Sequence, residues 1–133
     1  MCSANPGSIE ELRKSLRLQI WRFMEEHNIA AFPRPVYGRI PNFVGSEEAA
    51  AKILNLEEFK RASVVKVNPD APQRPVRKLV LKRGKLLLMP TPRISGGFLL
   101  LDPKKIPPHM IDYASTISGA FRFGRVLTLD ERP

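Results

Sequence analysis

The sequence predicts an α/β protein in which parallel strands are joined through helices, and three neighbouring stretches carry this prediction. Residues 85–89 contain four large apolar residues without alternation, which is typical of a strand covered on both faces. Residues 63–67 form a β-branched run that favours a second strand. Between them, a helix is predicted with Pro75 near its first turn, Lys82 and Arg83 in its last turn and Gly84 just past its end. A strand, a helix and a strand in this order predict a βαβ unit with a right-handed crossover.

The first helix is predicted over residues 9–27. Ser8 and Glu11 have the spacing of a capping box. Behind them, apolar residues recur at helical spacing: Ile9, Leu12, Leu16, Ile20 and Phe23. At about 100° per residue, Arg13 and Arg17 fall beside this stripe and one turn apart. They can reach one shared anion, or they can extend from the edge of the core into water.

The segment after this helix is predicted to be an ordered loop followed by a second helix. Three prolines and two glycines exclude a regular helix in Ala31–Gly45, and its arginines serve a ligand or only the surface. Ser46 is predicted to cap a helix over Glu47–Leu54, and a further turn covers Leu56–Arg61.

The C-terminal third is predicted to be built from short elements. These are a flexible turn at Ile94–Phe98, a strand at Leu99–Leu101, a helix from Pro107 or Pro108 through Ile117, a loose segment at Gly119–Gly124, and a strand at Arg125–Leu129.

Composition points to an anionic partner and to a reducing compartment. The chain has 22 Lys+Arg against 13 Asp+Glu, a net charge of +9, which favours nucleotides, acidic metabolites, nucleic acid or anionic membrane. One cysteine and two histidines provide no disulfide and no metal-ligand spacing. No apolar run is long enough to span a bilayer, and the polar leader over residues 1–7, expected to be disordered, lacks a signal-peptide pattern. A cytoplasmic protein with one domain over residues 8–133 is predicted.

Arg93 is the first candidate for a binding residue. It follows the strand at residues 85–89 after two prolines. Ligands of open α/β sheets bind beyond the carboxyl ends of the strands, and a guanidinium group suits an anionic ligand there. An arginine that simply ends a strand in water is the alternative.

Several blocks together resemble the 5-formyltetrahydrofolate cyclo-ligase (methenyltetrahydrofolate synthetase) family. The resemblance is closest to its branch of methenyltetrahydrofolate synthetase domain-containing proteins, and it extends from about residue 13 to residue 128. The blocks that carry it are Leu16–Trp21, Asn28–Val36, Arg39–Phe43, Val65–Asp70 and Gly84–Arg93.

The resemblance implies a three-layer α/β/α fold with a mainly parallel sheet, as in ribose-5-phosphate isomerase and CoA transferases. It implies an ATP- and Mg²⁺-dependent conversion of 5-formyltetrahydrofolate to 5,10-methenyltetrahydrofolate. The family places a Lys-x-x-x-Arg pair of its first helix against the ATP phosphates, and Arg13 and Arg17 match that spacing, with arginine at the first position. Arg93 and Lys85 fall in the family's glycine-lysine and proline-arginine block. Asp70 and Met89 are the corresponding candidates for binding the folate.

Two departures from the family pattern predict an incomplete member. Asp70-Ala71-Pro72-Gln73 stands where the family has a folate-binding glutamate, and no glycine-rich phosphate loop occurs in the sequence. The prediction is therefore a truncated, cyclo-ligase-like protein that self-associates or needs a second polypeptide for activity. The alternative is a non-enzymatic basic module that binds a nucleotide or RNA.

Overall fold

The structure is a computed structural model, and it describes residues 7–91 and 97–128. The leader over residues 1–6 lies outside the described residues, so its predicted disorder stays a prediction. The chain divides into two compact units, Met1–Val44 and Gly45–Pro133. A single domain over residues 8–133 likewise stays a prediction, and each unit is described by itself below.

The first unit contains helix α1, Ile9–Glu26, which confirms the predicted helix. The hydroxyl oxygen of Ser8 accepts a hydrogen bond of 3.1 Å from the main-chain N–H of Glu11, as the capping box predicts. The apolar stripe of α1 remains exposed: 51% for Leu12, 58% for Leu16 and 53% for Phe23. Residues 7–44 therefore do not cover this stripe.

A small core of the first unit forms instead on another side of α1. Met24, Ala30 and Val36 are buried, and Trp21 and Phe43 pack against them. The indole Nε1 of Trp21 donates a hydrogen bond of 3.2 Å to the carbonyl oxygen of residue 39. The loop predicted for Ala31–Gly45 is thus ordered by packing around one indole ring and a few apolar side chains.

Glu25 ties this loop to α1 through both carboxylate oxygens. Arg34 donates to Oε1 from Nε at 3.0 Å and from Nη2 at 2.7 Å. The main-chain N–H of Val36 donates to Oε2 at 2.8 Å. The hydrogen bond from Arg34, followed by that from Val36, lowers the pKa of Glu25 below its ordinary value. Arg34 is therefore engaged in an ion pair with Glu25 of α1.

The second unit contains five helices and four strands among its described residues. In chain order these are α2 (Ser46–Ala51), α3 (Glu57–Arg61), β1 (Val64–Lys66), α4 (Arg74–Lys82), β2 (Leu86–Pro90), β3 (Gly97–Leu101), α5 (Ile111–Ala114), α6 (Ile117–Phe123) and β4 (Arg125–Thr128). Short 3₁₀ turns at Lys52–Asn55, Ala71–Gln73, Pro103–Lys105 and Pro108–Met110 connect some of them.

The four strands form one sheet in the order β1-β2-β3-β4. β1 and β2 are parallel, which confirms the parallel pair of the predicted βαβ unit. β2 with β3 and β3 with β4 are antiparallel, so the prediction of a mainly parallel sheet is wrong. Only residues 91–96 separate β2 from β3, whereas a parallel crossover needs a dozen or more residues.

The main core of this unit lies on one face of the sheet. Leu87 pairs with Leu101 and Met89 pairs with Leu99 across β2 and β3, and all four side chains are 0–1% exposed. Helix side chains and others cover this face: Phe59, Val80, Leu81, Ile106, Ile111, Ala114 and Ala120. The central strands are thus fixed by burial on that side.

Two local predictions are wrong. Gly45, with a φ of 95°, occupies the cap position of α2, and Ser46 is the first helical residue and makes no capping bond.

The segment Gly119–Gly124, predicted to be loose, lies mostly within α6. The hydroxyl of Thr116 caps α6 by accepting from the N–H of Gly119 at 3.0 Å. A Cβ added to Gly119 would lie 1.9 Å from the carbonyl oxygen of Tyr113, so this glycine permits close packing on α5.

No helix among the described residues is long and apolar enough to cross a bilayer.

Candidate functional site

The parallel strands β1 and β2 place their carboxyl ends at one edge of the sheet. Residues 67–70 follow β1 at this edge, and Thr91 follows β2. β3 begins at the same edge, because Phe98 pairs with Pro90. We call this region the carboxyl edge. It is where an open α/β sheet binds ligands, and it contains Asp70.

Asp70 is oriented by the turn that follows β1. Its Oδ1 accepts the main-chain N–H of Gln73 at 3.1 Å, and its Oδ2 accepts the side-chain Nε2 of Gln73 at 3.0 Å. The carboxylate therefore caps the turn Ala71–Gln73 that leads into α4. A ligand bound to Asp70 would have to share the carboxylate with these hydrogen bonds. The folate-binding role of Asp70 stays a prediction.

Arg77 of α4 organises the same edge from inside the protein, and the sequence reasoning missed it. It is 2% exposed, and its Nη1 donates to the main-chain carbonyl oxygens of Asn68 and Asp70, each at 2.8 Å. Its Nε donates to the carbonyl oxygen of Ser115 at 2.8 Å. Burial lowers the pKa of Arg77 to about 10, while the negative charge of Asp70 acts in the opposite direction.

A signal for Arg77 was present in the sequence. Residues 77, 80 and 81 have the i, i+3, i+4 spacing of one helix face, and Val80 and Leu81 are apolar. A cation on an apolar face indicates either snorkelling or a buried partner, and the partners here are main-chain carbonyl groups.

Met89 lies one residue before the end of β2 and is completely buried in the main core. Its side chain packs on the face of the sheet that the helices cover. Thr91, just beyond β2, is also buried, at the carboxyl edge. A substrate-binding role for Met89 stays a prediction, since the side chain is part of the core in the structure.

Arg13 and Arg17 lie on α1 in the first unit, both exposed. The Nη1 of Arg13 lies 3.2 Å from Oε1 of Glu10, and both side chains are more than 60% exposed. Arg17 makes no hydrogen bond or ion pair with the residues that the structure describes. The guanidinium group of Arg17 is thus available to an anion on this helix, whereas that of Arg13, one turn away, would share its charge with Glu10.

Arg93 falls in residues 92–96, outside the described part of the chain. The predicted ligand-binding role of Arg93 is therefore not tested, and it stays a prediction.

Lys85 lies at the amino end of β2, at the opposite end of the strand from the carboxyl edge. Its ammonium nitrogen donates to the carbonyl oxygens of Ala62 at 2.7 Å and Lys60 at 3.3 Å. The same nitrogen lies 5.0 Å from the centroid of the Phe59 ring. These contacts give Lys85 a structural role between α3 and β2, and its nucleotide-binding role stays a prediction.

Within residues 7–91 and 97–128, no three His, Cys, Asp or Glu residues are grouped so that they could hold a metal ion.

Comparison with known proteins gives relatives along almost the whole chain. A mouse (Mus musculus) methenyltetrahydrofolate synthase domain-containing protein is 43% identical over 120 residues, which is 89% of this chain and 32% of the relative. The human protein of the same name is 40% identical over 129 residues, 96% of this chain and 34% of the relative. The zebrafish (Danio rerio) protein is 40% identical over 124 residues, 92% and 32% of the two chains. The chain thus spans about a third of the length of these curated relatives.

No solved structure matches the chain significantly. The family model of 5-formyltetrahydrofolate cyclo-ligases matches residues 8–125, which include α1, the βαβ unit and the carboxyl edge. This match covers most of the 133 residues and agrees with the relatives above. The chain belongs to the 5-formyltetrahydrofolate cyclo-ligase family.

Proposed function

We propose that this chain is a folate-related, ligase-like domain that binds ATP through Arg13 and Arg17 and a reduced folate at the carboxyl edge. The observation that carries the proposal is the pair of exposed guanidinium groups on α1, inside the segment that matches the family. Arg17 has no partner among the described residues, so its charge is available to a phosphate group. The three-layer arrangement of the family is part of the same proposal.

The reaction that the family carries out fits a site built from cations. The formyl oxygen of 5-formyltetrahydrofolate attacks the γ-phosphate of ATP, and ADP leaves. N10 then closes on the activated formyl carbon, and phosphate leaves with the former formyl oxygen. Phosphoryl transfer requires mainly positioning and positive charge around the moving group, which arginines provide without histidine or cysteine. Mg²⁺ would be held by the ATP phosphates.

The proposal separates binding from turnover. The family's glycine-rich loop holds phosphates through main-chain N–H groups, and we propose that this loop is missing from these 133 residues. We expect the chain as given to bind Mg·ATP without turning it over, and we propose that turnover requires a further polypeptide segment.

Thermal unfolding with and without Mg·ATP tests the binding step. A ligand that binds only the folded state at a hundred times its Kd stabilises it by about 2.7 kcal/mol. Arg17→Ala is expected to abolish this stabilisation, while the stability without ATP changes by less than about 1 kcal/mol, because the side chain is exposed. AMP, which lacks the β- and γ-phosphates, is expected to stabilise the wild type much less.

Arg22→Ala is the matched control on the same helix. Arg22 is also exposed, but it lies about 140° around α1 from Arg17. This variant is expected to keep the stabilisation by Mg·ATP. Equal stabilisation of wild type and Arg17→Ala would remove Arg17 from the phosphate site.

The net charge of +9 supports a second candidate, a non-enzymatic module that binds RNA. Affinity for single-stranded RNA would then fall steeply with salt, and it would not depend on Mg·ATP. RNA binding that decreases strongly between 50 and 200 mM salt, together with no stabilisation by Mg·ATP, would favour this candidate.

A further inference from the structure

A cleft of about 360 Å³ lies between α2 and α4, within the second unit. Its walls include three cations of α4 (Arg74, Lys78 and Lys82) and Asp112 of α5. Glu47 and Ala51 of α2 and Leu79 of α4 also contribute. All of these residues belong to the second unit, Gly45–Pro133.

The three cations lie along one face of α4. They are four residues apart in sequence, so each is about one helical turn from the next. The carboxylate of Asp112 lies across from them, with Oδ1 3.0 Å from Lys78 Nζ and Oδ2 3.4 Å from Arg74 Nη2. Two of the three cations thus pair with the carboxylate of Asp112.

The three positive charges of α4 exceed the two negative charges in the walls of the cleft, those of Asp112 and Glu47. Lys82 makes no hydrogen bond or ion pair with the described residues, yet its charge acts on Asp112. The pKa of Asp112 is lowered first by the hydrogen bond and charge of Lys78, and further by the charges of Arg74 and Lys82. The Asp112 carboxylate therefore marks a position in the cleft where a negative group is stabilised.

We propose that this cleft binds a small phosphorylated molecule, whose phosphate group contacts Lys78 and Lys82 beside Asp112. Ala51 and Leu79 provide a short apolar wall for the body of the ligand. A volume of 360 Å³ lies in the range of small-molecule pockets, which favours a compact ligand over an extended polymer. This site is additional to the proposed ATP and folate sites and does not depend on them.

Pyrophosphate is the probe for this site, titrated at constant ionic strength against sodium chloride and followed by ¹H–¹⁵N NMR. Saturable shifts are expected for the amides of Ala51, Leu79 and Lys82. Lys82→Ala is expected to weaken the affinity about fivefold, because it removes a cation that has no other partner among the described residues. Lys82→Gln, which keeps a long side chain, is expected to weaken it equally.

Arg83→Ala is the matched control, since it removes one positive charge at the adjacent residue. Arg83 lines a different cavity, together with Lys60 and Lys85. The affinity of this variant for pyrophosphate is expected to stay within about twofold of the wild type. Equal losses in Lys82→Ala and Arg83→Ala would mean that the general charge of the surface binds the probe, and this would overturn the proposal.

Asp112→Asn gives a test with the opposite sign. Its side chain is 62% exposed, so the variant is expected to fold. Loss of the competing carboxylate is expected to tighten pyrophosphate binding about fivefold. Unchanged or weaker binding in Asp112→Asn would contradict the position assigned to the phosphate.

Two further results separate this proposal from others. The chemical-shift changes that pyrophosphate causes at Ala51 and Leu79 are expected to persist in an Arg13→Ala, Arg17→Ala double variant. Loss of the proposed ATP site would therefore leave this site intact. Single-stranded RNA that binds more tightly than pyrophosphate, and loses affinity alike in Lys82→Ala and Arg83→Ala, would assign the surface to a polymer and overturn the proposal.

Discussion

The side chain of Arg77 donates a hydrogen bond of 2.8 Å to the main-chain carbonyl oxygen of Asp70, at the carboxyl edge. The same nitrogen, Nη1, also donates to the carbonyl oxygen of Asn68, and Nε donates to the carbonyl oxygen of Ser115. One buried guanidinium group therefore joins the turn after β1 to the residue that follows α5. The main-chain positions of Asn68 and Asp70, and with them any ligand site at this edge, depend on these hydrogen bonds.

Arg77→Met is expected to lower the free energy of unfolding by about 3 kcal/mol or more, because the buried carbonyl group of Ser115 and the part-buried ones of Asn68 and Asp70 lose their donor. Urea denaturation followed by far-UV circular dichroism measures the change. Arg74→Met, one turn earlier on α4 and 45% exposed, is the control and is expected to cost less than about 1 kcal/mol. Equal costs for the two variants would contradict the structural role of Arg77.

Replacement of Arg34 by glutamine is expected to raise the pKa of Glu25 towards its ordinary value of 4.5. The hydrogen bond from Arg34 is the largest cause of the lowered pKa, and it favours the charged carboxylate. The first unit therefore gains stability from Glu25 above pH 4.5, and this stability is lost as the pH falls through the lowered pKa.

NMR titration of the Glu25 side-chain carboxyl carbon measures this pKa in both proteins. Glu26, the next residue on α1, is exposed and serves as the internal control. An unchanged titration of Glu25 in Arg34→Gln would show that the hydrogen bond does not hold in solution.

Gly119→Ala is expected to destabilise the second unit by about 2 kcal/mol or more, because the new methyl group would overlap the carbonyl oxygen of Tyr113. Thermal unfolding measures the effect. Ser118→Ala, at the neighbouring exposed position of α6, is the control and is expected to change stability by less than about 0.5 kcal/mol. A neutral Gly119→Ala would mean that α5 and α6 pack less closely than described.

Leu12→Gln with Leu16→Gln is expected to reduce self-association of the chain without a large loss of stability. Both side chains are more than half exposed on the apolar stripe of α1, and exposed apolar patches promote association. Light scattering coupled to size exclusion measures the mass distribution. Leu18→Gln, on α1 outside the stripe and 44% exposed, is the control and is expected to behave like the wild type. A wild-type chain that is already a compact monomer would contradict the expected association.

The elements that local patterns determine were predictable. The capping box at Ser8, the periodicity of α1 and the strand–helix–strand order around α4 each depend on residues close in sequence, and the structure confirms them. Strand direction beyond β2 was not predictable in this way. It depends on where a connection returns in space, and the inference of a mainly parallel sheet rested on the unbroken apolar run at residues 85–89 and on the resemblance.

Other features could not be predicted because they depend on contacts between residues that are distant in sequence. The sequence predicts a loose segment over Gly119–Gly124, but Gly119 is a contact point of α6 for α5, which only the packing reveals. Arg77 finds its partners at residues 68, 70 and 115, and the last of these is 38 positions away. Of the predicted site, the spacing of Arg13 and Arg17 could be derived from the sequence. The exposure of the neighbouring stripe could not, because periodicity does not say which segment covers a face.

The packing of Trp21 against Tyr37 and Met24 has a practical consequence. Trp21 is the only tryptophan of the chain. The centroid of its ring lies 6.5 Å from that of Tyr37 in an edge-on arrangement. All three residues belong to the smaller unit. Indole fluorescence is therefore an optical reporter of residues 1–44, whereas most of the α-helix and strand residues that dominate the far-ultraviolet signal belong to residues 45–133. Recording both signals during one denaturation shows directly whether the two units lose their structure together or in separate steps.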